Sequence, residues 1–137
     1  PSHIWFDPAT SLLYAVDSAN NLLRVLDTTS GSTSNNINPN YDGTDQKFVT
    51  GADLTTLVDL GAAGLVMPSG LEMWDNLLYI SDRGTGTVYA FDMSGSMVDW
   101  LDMGVGADAL AGMAFDSAGN LYLAELATDR IIKVEPN

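Results

Sequence analysis

Three stretches of the chain can be laid over one another in register, and this repetition restricts the fold more than any single residue does. Leu12-Leu13-Tyr14-Ala15-Val16-Asp17, Leu77-Leu78-Tyr79-Ile80-Ser81-Asp82 and Asn120-Leu121-Tyr122-Leu123-Ala124-Glu125 each set a tyrosine three residues before an acid. A second acid follows each tyrosine 13 residues later, at Asp27, Asp92 and Glu135. Upstream, Pro1-Ser2-His3-Ile4, Pro68-Ser69-Gly70-Leu71 and Leu110-Ala111-Gly112-Met113 share one place, each leading to Phe6-Asp7, Trp74-Asp75 or Phe115-Asp116. A fixed period identifies an architecture before it identifies a chemistry.

The units span 1–67, 68–109 and 110–137, and the second is 42 residues long. That falls within the roughly 40 to 45 residues of a four-stranded propeller blade. The first is 25 residues longer and carries an insertion. In the second unit, apolar and β-branched segments near 71–74, 77–82, 87–92 and 97–102 alternate with joints at Asp75-Asn76, Arg83-Gly84-Thr85-Gly86 and Met93-Ser94-Gly95-Ser96. Asn and Gly at such joints supply the positive φ of tight hairpins. The first unit predicts strands near 3–6, 12–17, 22–27 and 54–60, with the polar stretch 28–53 as a long surface loop. The third predicts strands near 112–115, 121–125 and 130–134 and stops before a fourth. No window shows a 3.6-residue apolar period. The expected fold is all-β: one domain, a partial β-propeller of about three four-stranded antiparallel blades, the third incomplete.

Eighteen acids against five basic residues give a formal charge of −13, which argues against a phosphate-backbone partner, because counterion release requires Lys and Arg. The acids are scattered over predicted turns and strand ends, as on a solubilising surface. With 46% apolar residues the chain is too apolar to stay disordered, yet no apolar run reaches the roughly 18 to 20 residues of a membrane helix. Cysteine is absent, which removes disulfide and thiol chemistry. The start at Pro1 reads as a mature, trimmed or partial chain.

The run from Leu110 to Glu125 followed by Arg130-Ile131-Ile132-Lys133-Val134 resembles an NHL repeat. The points of resemblance are the Gly112-Met113 strand, the Asp116-Ser117-Ala118-Gly119-Asn120-Leu121-Tyr122 hairpin, the acid at Glu125 and the following Arg-Ile strand. The second unit matches with Asp82 and Val88-Tyr89-Ala90-Phe91-Asp92, and the first through Asp17 and Leu22-Leu23-Arg24-Val25-Leu26-Asp27. The resemblance implies a β-propeller and leaves the function open. Related propellers of the SMP-30/gluconolactonase group hold a divalent cation in the channel, using Asn and Asp in the Pro-x-Gly element. The matching positions here are Ser2, Ser69 and Ala111, which lack the charged oxygens a hard cation prefers.

Asp17, Asp82 and Glu125 are expected to brace turns by accepting N–H groups. Tyr14, Tyr79, Tyr122, Trp74 and Phe115 are expected to pack between blades. His3, the one histidine, has no nucleophile at a recognised spacing. Glu72 stands where the other units have Trp5 and Ala114, and it would face the channel if its strand lines it. In the insertion, Asn38, Asn40, Asp42 and Asp45 around Gly43 resemble the start of a calcium loop. However, Val49 occupies the place of the bidentate Glu, which excludes an EF-hand.

Two functions follow from different classes. The first is a non-catalytic binding or scaffolding propeller without a cofactor, outside the cell or at its envelope, that contacts a protein or glycan through loops such as 28–53. The alternative is a metal-dependent propeller hydrolase or lyase with ligands outside these residues. In either case, three blades leave both end faces open, to be completed by further blades of the same protein or by another chain.

Overall fold

A computed structural model describes residues 2–37 and 46–136. The first sheet holds β1 (His3–Asp7), β2 (Leu12–Asp17), β3 (Leu22–Asp27) and β6 (Leu54–Asp59) in the order β1-β2-β3-β6. The second is an antiparallel meander of β7 (Pro68–Trp74), β8 (Leu77–Asp82), β9 (Thr87–Asp92) and β10 (Met97–Asp102). The third has β11 (Leu110–Phe115), β12 (Leu121–Glu125) and β13 (Arg130–Val134). The chain is therefore all-β, with propeller-type blades that do not close into a ring. Among the described residues no helix is long and apolar enough to cross a membrane.

Registers reproduce the repeat: Trp5 pairs with Tyr14, Glu72 with Tyr79 and Ala114 with Tyr122. The ladders of β7 and β11 share an irregularity at equivalent places, between Pro68 and Gly70 and between Leu110 and Met113. Between β7 and β8 the joint is Asp75-Asn76, both at positive φ (48° and 59°), as a two-residue hairpin with the twist of its strands demands.

The polar insertion departs from the loop expected over 28–53. Two further strands, β4 (Ser32–Ile37) and β5 (Gln46–Thr50), pair with each other in a separate antiparallel ribbon that joins neither neighbouring sheet. Its first strand, Ser-Thr-Ser-Asn-Asn-Ile, lacks apolar alternation. A strand of short polar residues leaves little periodic trace of its pairing in the sequence.

The core lies between sheets, not within one. Tyr14, Val16, Leu23 and Val58 of the first blade meet Leu71, Leu78, Ile80 and Phe91 of the second. Val88 of the second meets Leu110, Leu121 and Leu123 of the third. Because strand side chains alternate in direction, β8 sends Leu78 and Ile80 one way and Tyr79 and Ser81 the other. Each fully buried Leu or Ile contributes about 1.5–3 kcal/mol. The two seams hold the three sheets together.

Equivalent residues differ in burial according to their neighbours. Leu71, covered by the first blade, is 3% exposed, whereas its counterpart Ile4 on β1 is 61% exposed. Tyr14 and Tyr79 pack toward the following blade, while Tyr122 lines the open face of the third and donates its hydroxyl to Asp116 in its own sheet. The expected inter-blade role therefore holds for Tyr14 and Tyr79, whereas Tyr122 has no following blade against it among the described residues.

A polar clasp crosses the second seam. Ser81 Oγ accepts from Gly70 N at 2.9 Å and donates to the Ala111 carbonyl at 2.9 Å, with Ser69 Oγ 3.0 Å away. A Cβ on Gly70 would lie 2.8 Å from that carbonyl, so the close approach requires glycine. Ser81 is fully buried, and truncation would leave the Gly70 N–H and Ala111 carbonyl without this partner. Ser81→Ala is expected to lower unfolding free energy by roughly 1–3 kcal/mol in a urea titration, whereas Ser94→Ala in the exposed 93–96 turn should stay within about 0.5–1 kcal/mol.

Candidate functional site

A groove of about 400 Å³ lies between the second and third blades. One wall comes from β9 and β10, through Val88, Ala90, Asp99, Trp100 and Leu101, and the other from Leu121, Val134, Glu135 and Pro136. At one end Trp74, Tyr79 and Phe115 converge. The Trp74 and Phe115 rings stack with centroids 5.6 Å apart, and Tyr79 meets Phe115 edge-on at 4.8 Å. These contacts join the second blade to the third, as expected for Trp74, Tyr79 and Phe115. Gly119, at φ +84°, brings the β11–β12 turn against the indole; a Cβ there would stand 3.2 Å from Trp74 Nε1.

The groove is acidic as well as aromatic. Burial first, then the charges of Asp75 and Asp99, raise the Tyr79 phenol above its ordinary pKa. Glu135 is held below the usual carboxylate range chiefly by its hydrogen bond to Lys133 Nζ, at 2.6 Å. Volume and lining fit an extended apolar segment or an aromatic group; the volume lies at the lower end of ligand-binding cavities.

The repeated strand-end acids serve structure to different depths. Glu125 accepts from the N–H groups of Ala127 (2.7 Å) and Thr128 (3.2 Å), from the Thr128 hydroxyl and from Arg130 Nε (3.0 Å). Asp82, fully buried, reaches back to the N–H groups of Val66 (3.1 Å) and Met67 (2.5 Å), as well as to the Thr85 hydroxyl. Asp17, near the surface, accepts from Asn20 Nδ2 at 2.8 Å. A further acid holds a repeated place, after the aromatic residue of each unit, but no bracing role was expected of it. Asp116 accepts from the N–H groups of Ala118 and Asn120, from Asn120 Nδ2 and from the Tyr122 hydroxyl. The Asp-x-x-Gly-Asn spacing of the hairpin was its signal.

The other sequence candidates are dispersed. Glu72 is half-buried on β7, between Gly70 and Trp74 in the alternation, and its Oε1 accepts from Met73 N at 3.1 Å. His3 is exposed on β1, close enough that a Cβ on Gly112 would lie 3.6 Å from its Nε2. Ser2 Oγ accepts from Ser18 Oγ at 2.6 Å, and Ser69 and Ala111 belong to the Ser81 clasp. Asn38, Asn40, Asp42 and Asp45 lie outside the described residues. Among the described residues, no three His, Asp or Glu side chains gather as a metal site. The sequence matches no protein-family model and no curated protein.

Asn120, with Ala118 and Tyr122 contributing, pulls Asp116 down to about 2. A carboxyl whose folded value lies below its unfolded value of about 3.9 contributes stability above that pH and loses it as pH falls toward the folded value. The melting temperature is expected to hold steady between pH 7 and 5 and to fall from about pH 4 toward 2. In Asp116→Asn, calorimetric scans should show a lower melting temperature at neutral pH and a shallower acid decline.

Proposed function

We propose that the chain is a non-catalytic, NHL-like β-propeller module for binding or scaffolding that contacts a protein or glycan through its connecting segments. The observation that carries this reading is the β4–β5 ribbon. It interrupts the first blade between β3 and β6, pairs with neither, and displays Phe48 and Val49 at 52% and 47% exposure. Asp27 N donates to the Asp53 carbonyl at 3.0 Å and Asp53 N to Ser30 Oγ at 2.7 Å, closing the chain below the ribbon. An insertion whose base is closed in this way can vary without disturbing the scaffold, and such segments are where binding residues concentrate.

The role of the repeated acids supports the same reading. Asp82, Glu125 and Asp116 spend their oxygens on backbone amides and hydroxyls of neighbouring turns, which is bracing. Open faces at Ile4 and Ile131, 61% and 68% exposed, favour further blades of the same protein, or another chain, completing the ring.

Replacing 32–50 by a short Gly-Ser turn separates scaffold from recognition. The variant is expected to melt within about 4 °C of the parent, a change of about 1 kcal/mol or less, while binding to a glycan or peptide array ligand of the parent is lost. Retention of that binding would remove the ribbon from the reading, and cooperative unfolding destroyed by the deletion would make it structural.

A further inference from the structure

We infer that the outer edge of β10 is a docking strand: it pairs antiparallel with an extended segment of a partner protein that carries a basic residue, two apolar residues and a second basic residue in succession. The surface is the rim of the second blade, and it does not depend on what the ribbon contacts.

The two four-stranded sheets each end outward in a strand with one unpaired edge, β6 in the first and β10 in the second. The two edges are built differently. Thr55 and Thr56 of β6 hold the places of Asp99 and Trp100, because they pair with Val25 and Arg24, the counterparts of Ala90 and Tyr89. Val58 of β6 stands where β10 has Leu101, and it is buried, whereas β10 is exposed along its whole length. Trp100 is 61% exposed. It pairs with Tyr89, which packs against the core between the first and second blades, so it lies on the face turned toward a blade that has all four strands. Its exposure therefore belongs to the rim itself. Met97 and Val98, also exposed, extend the apolar surface along the strand.

An unpaired edge with apolar side chains is a template for another strand. The carboxylates decide which strand fits. Asp99 Oδ1 accepts from Trp100 N at 2.8 Å and Asp102 Oδ1 from Gly104 N at 2.9 Å, and among the described residues neither forms an ion pair. A second copy of this chain is turned away. Two-fold antiparallel pairing about the middle of 99–102 would set Asp99 opposite Asp102, like charges, and each copy brings a formal charge of −13. The same spacing suits a basic strand. Its two basic residues face Asp99 and Asp102, and its two apolar residues face Trp100 and Leu101, where aromatic and β-branched cross-strand pairs are favourable. The pairing of β10 with β9 is regular from Asp99 to Asp102 and irregular between Met97 and Asp99, which confines the docked segment to these four positions.

The test uses the whole chain and the capped peptide Ser-Gly-Lys-Val-Val-Lys-Gly-Ser, which contains no tryptophan. Saturable binding is expected, with a blue shift of tryptophan emission and slower exchange of β10 amides but not of β6 amides. Trp100→Phe should lose most of the shift. Asp99→Asn and Asp102→Asn should each weaken binding by up to about fivefold, and about 0.5 M salt should weaken it more in the parent than in the double variant. Removing the ribbon should leave the affinity unchanged. Absence of saturable binding at millimolar peptide would overturn the inference, as would equal binding of a peptide with Glu for both Lys or with the order Lys-Lys-Val-Val, or equal slowing in β6. Protection of β10 that rises with protein concentration in the absence of peptide would also overturn it and would assign the edge to a second copy.

Discussion

Everything in this structure depends on one sheet burying its face against the next. A strand sends successive side chains to opposite faces, so a sheet with apolar residues on both sides can bury them only between two neighbours. The second blade has two, and its β8 and β9 are buried on both faces by Tyr14, Val16 and Leu23 on one side and Leu110, Leu121 and Leu123 on the other. Among the described residues, its flanking blades have one each. The exposure of Ile4 and Ile131 is the direct consequence.

Polar groups fix the spacing of those faces. Ser81 joins the backbones of β7 and β11 through a single hydroxyl, and the absence of a Cβ at Gly70 allows them to approach. The strand-end acids then anchor the connections that the stacking leaves hanging. Asp82 ties down the segment that enters β7, and Glu125 the turn that enters β13. Apolar burial supplies most of the energy, and these hydrogen bonds select one register among many that would bury similar area.

Much of this was legible in the residues. Tyr14, Tyr79 and Tyr122 marked the second strand of each blade, and Asp75-Asn76 marked a hairpin, because strand alternation and turn chemistry are local. The bracing role of Glu125 could also be read from its position. Its counterparts could not be ranked: nothing near Asp82 in sequence announces that it is fully buried and bonded to Val66 and Met67, while Asp17 braces only its own surface turn, through the Asn20 side chain and the backbone N–H groups of Ala19 and Asn20. The β4–β5 ribbon was not legible because its first strand, polar from Ser32 to Asn36, carries no apolar period. The groove was equally hidden, since its walls come from residues as distant as Trp74 and Pro136.

The sequence by itself determined the blades: their number, the order of strands within each, the joints between strands and the insertion in the first. These follow from alternation and from residues that tolerate positive φ, both properties of a few neighbouring positions. Tertiary structure alone decided which of the equivalent faces are covered. Val58 and Leu101 occupy the same place in the repeat, yet one is sealed and the other opens a groove. Burial is set by whatever packs against a residue from far along the chain, and a local pattern cannot encode that.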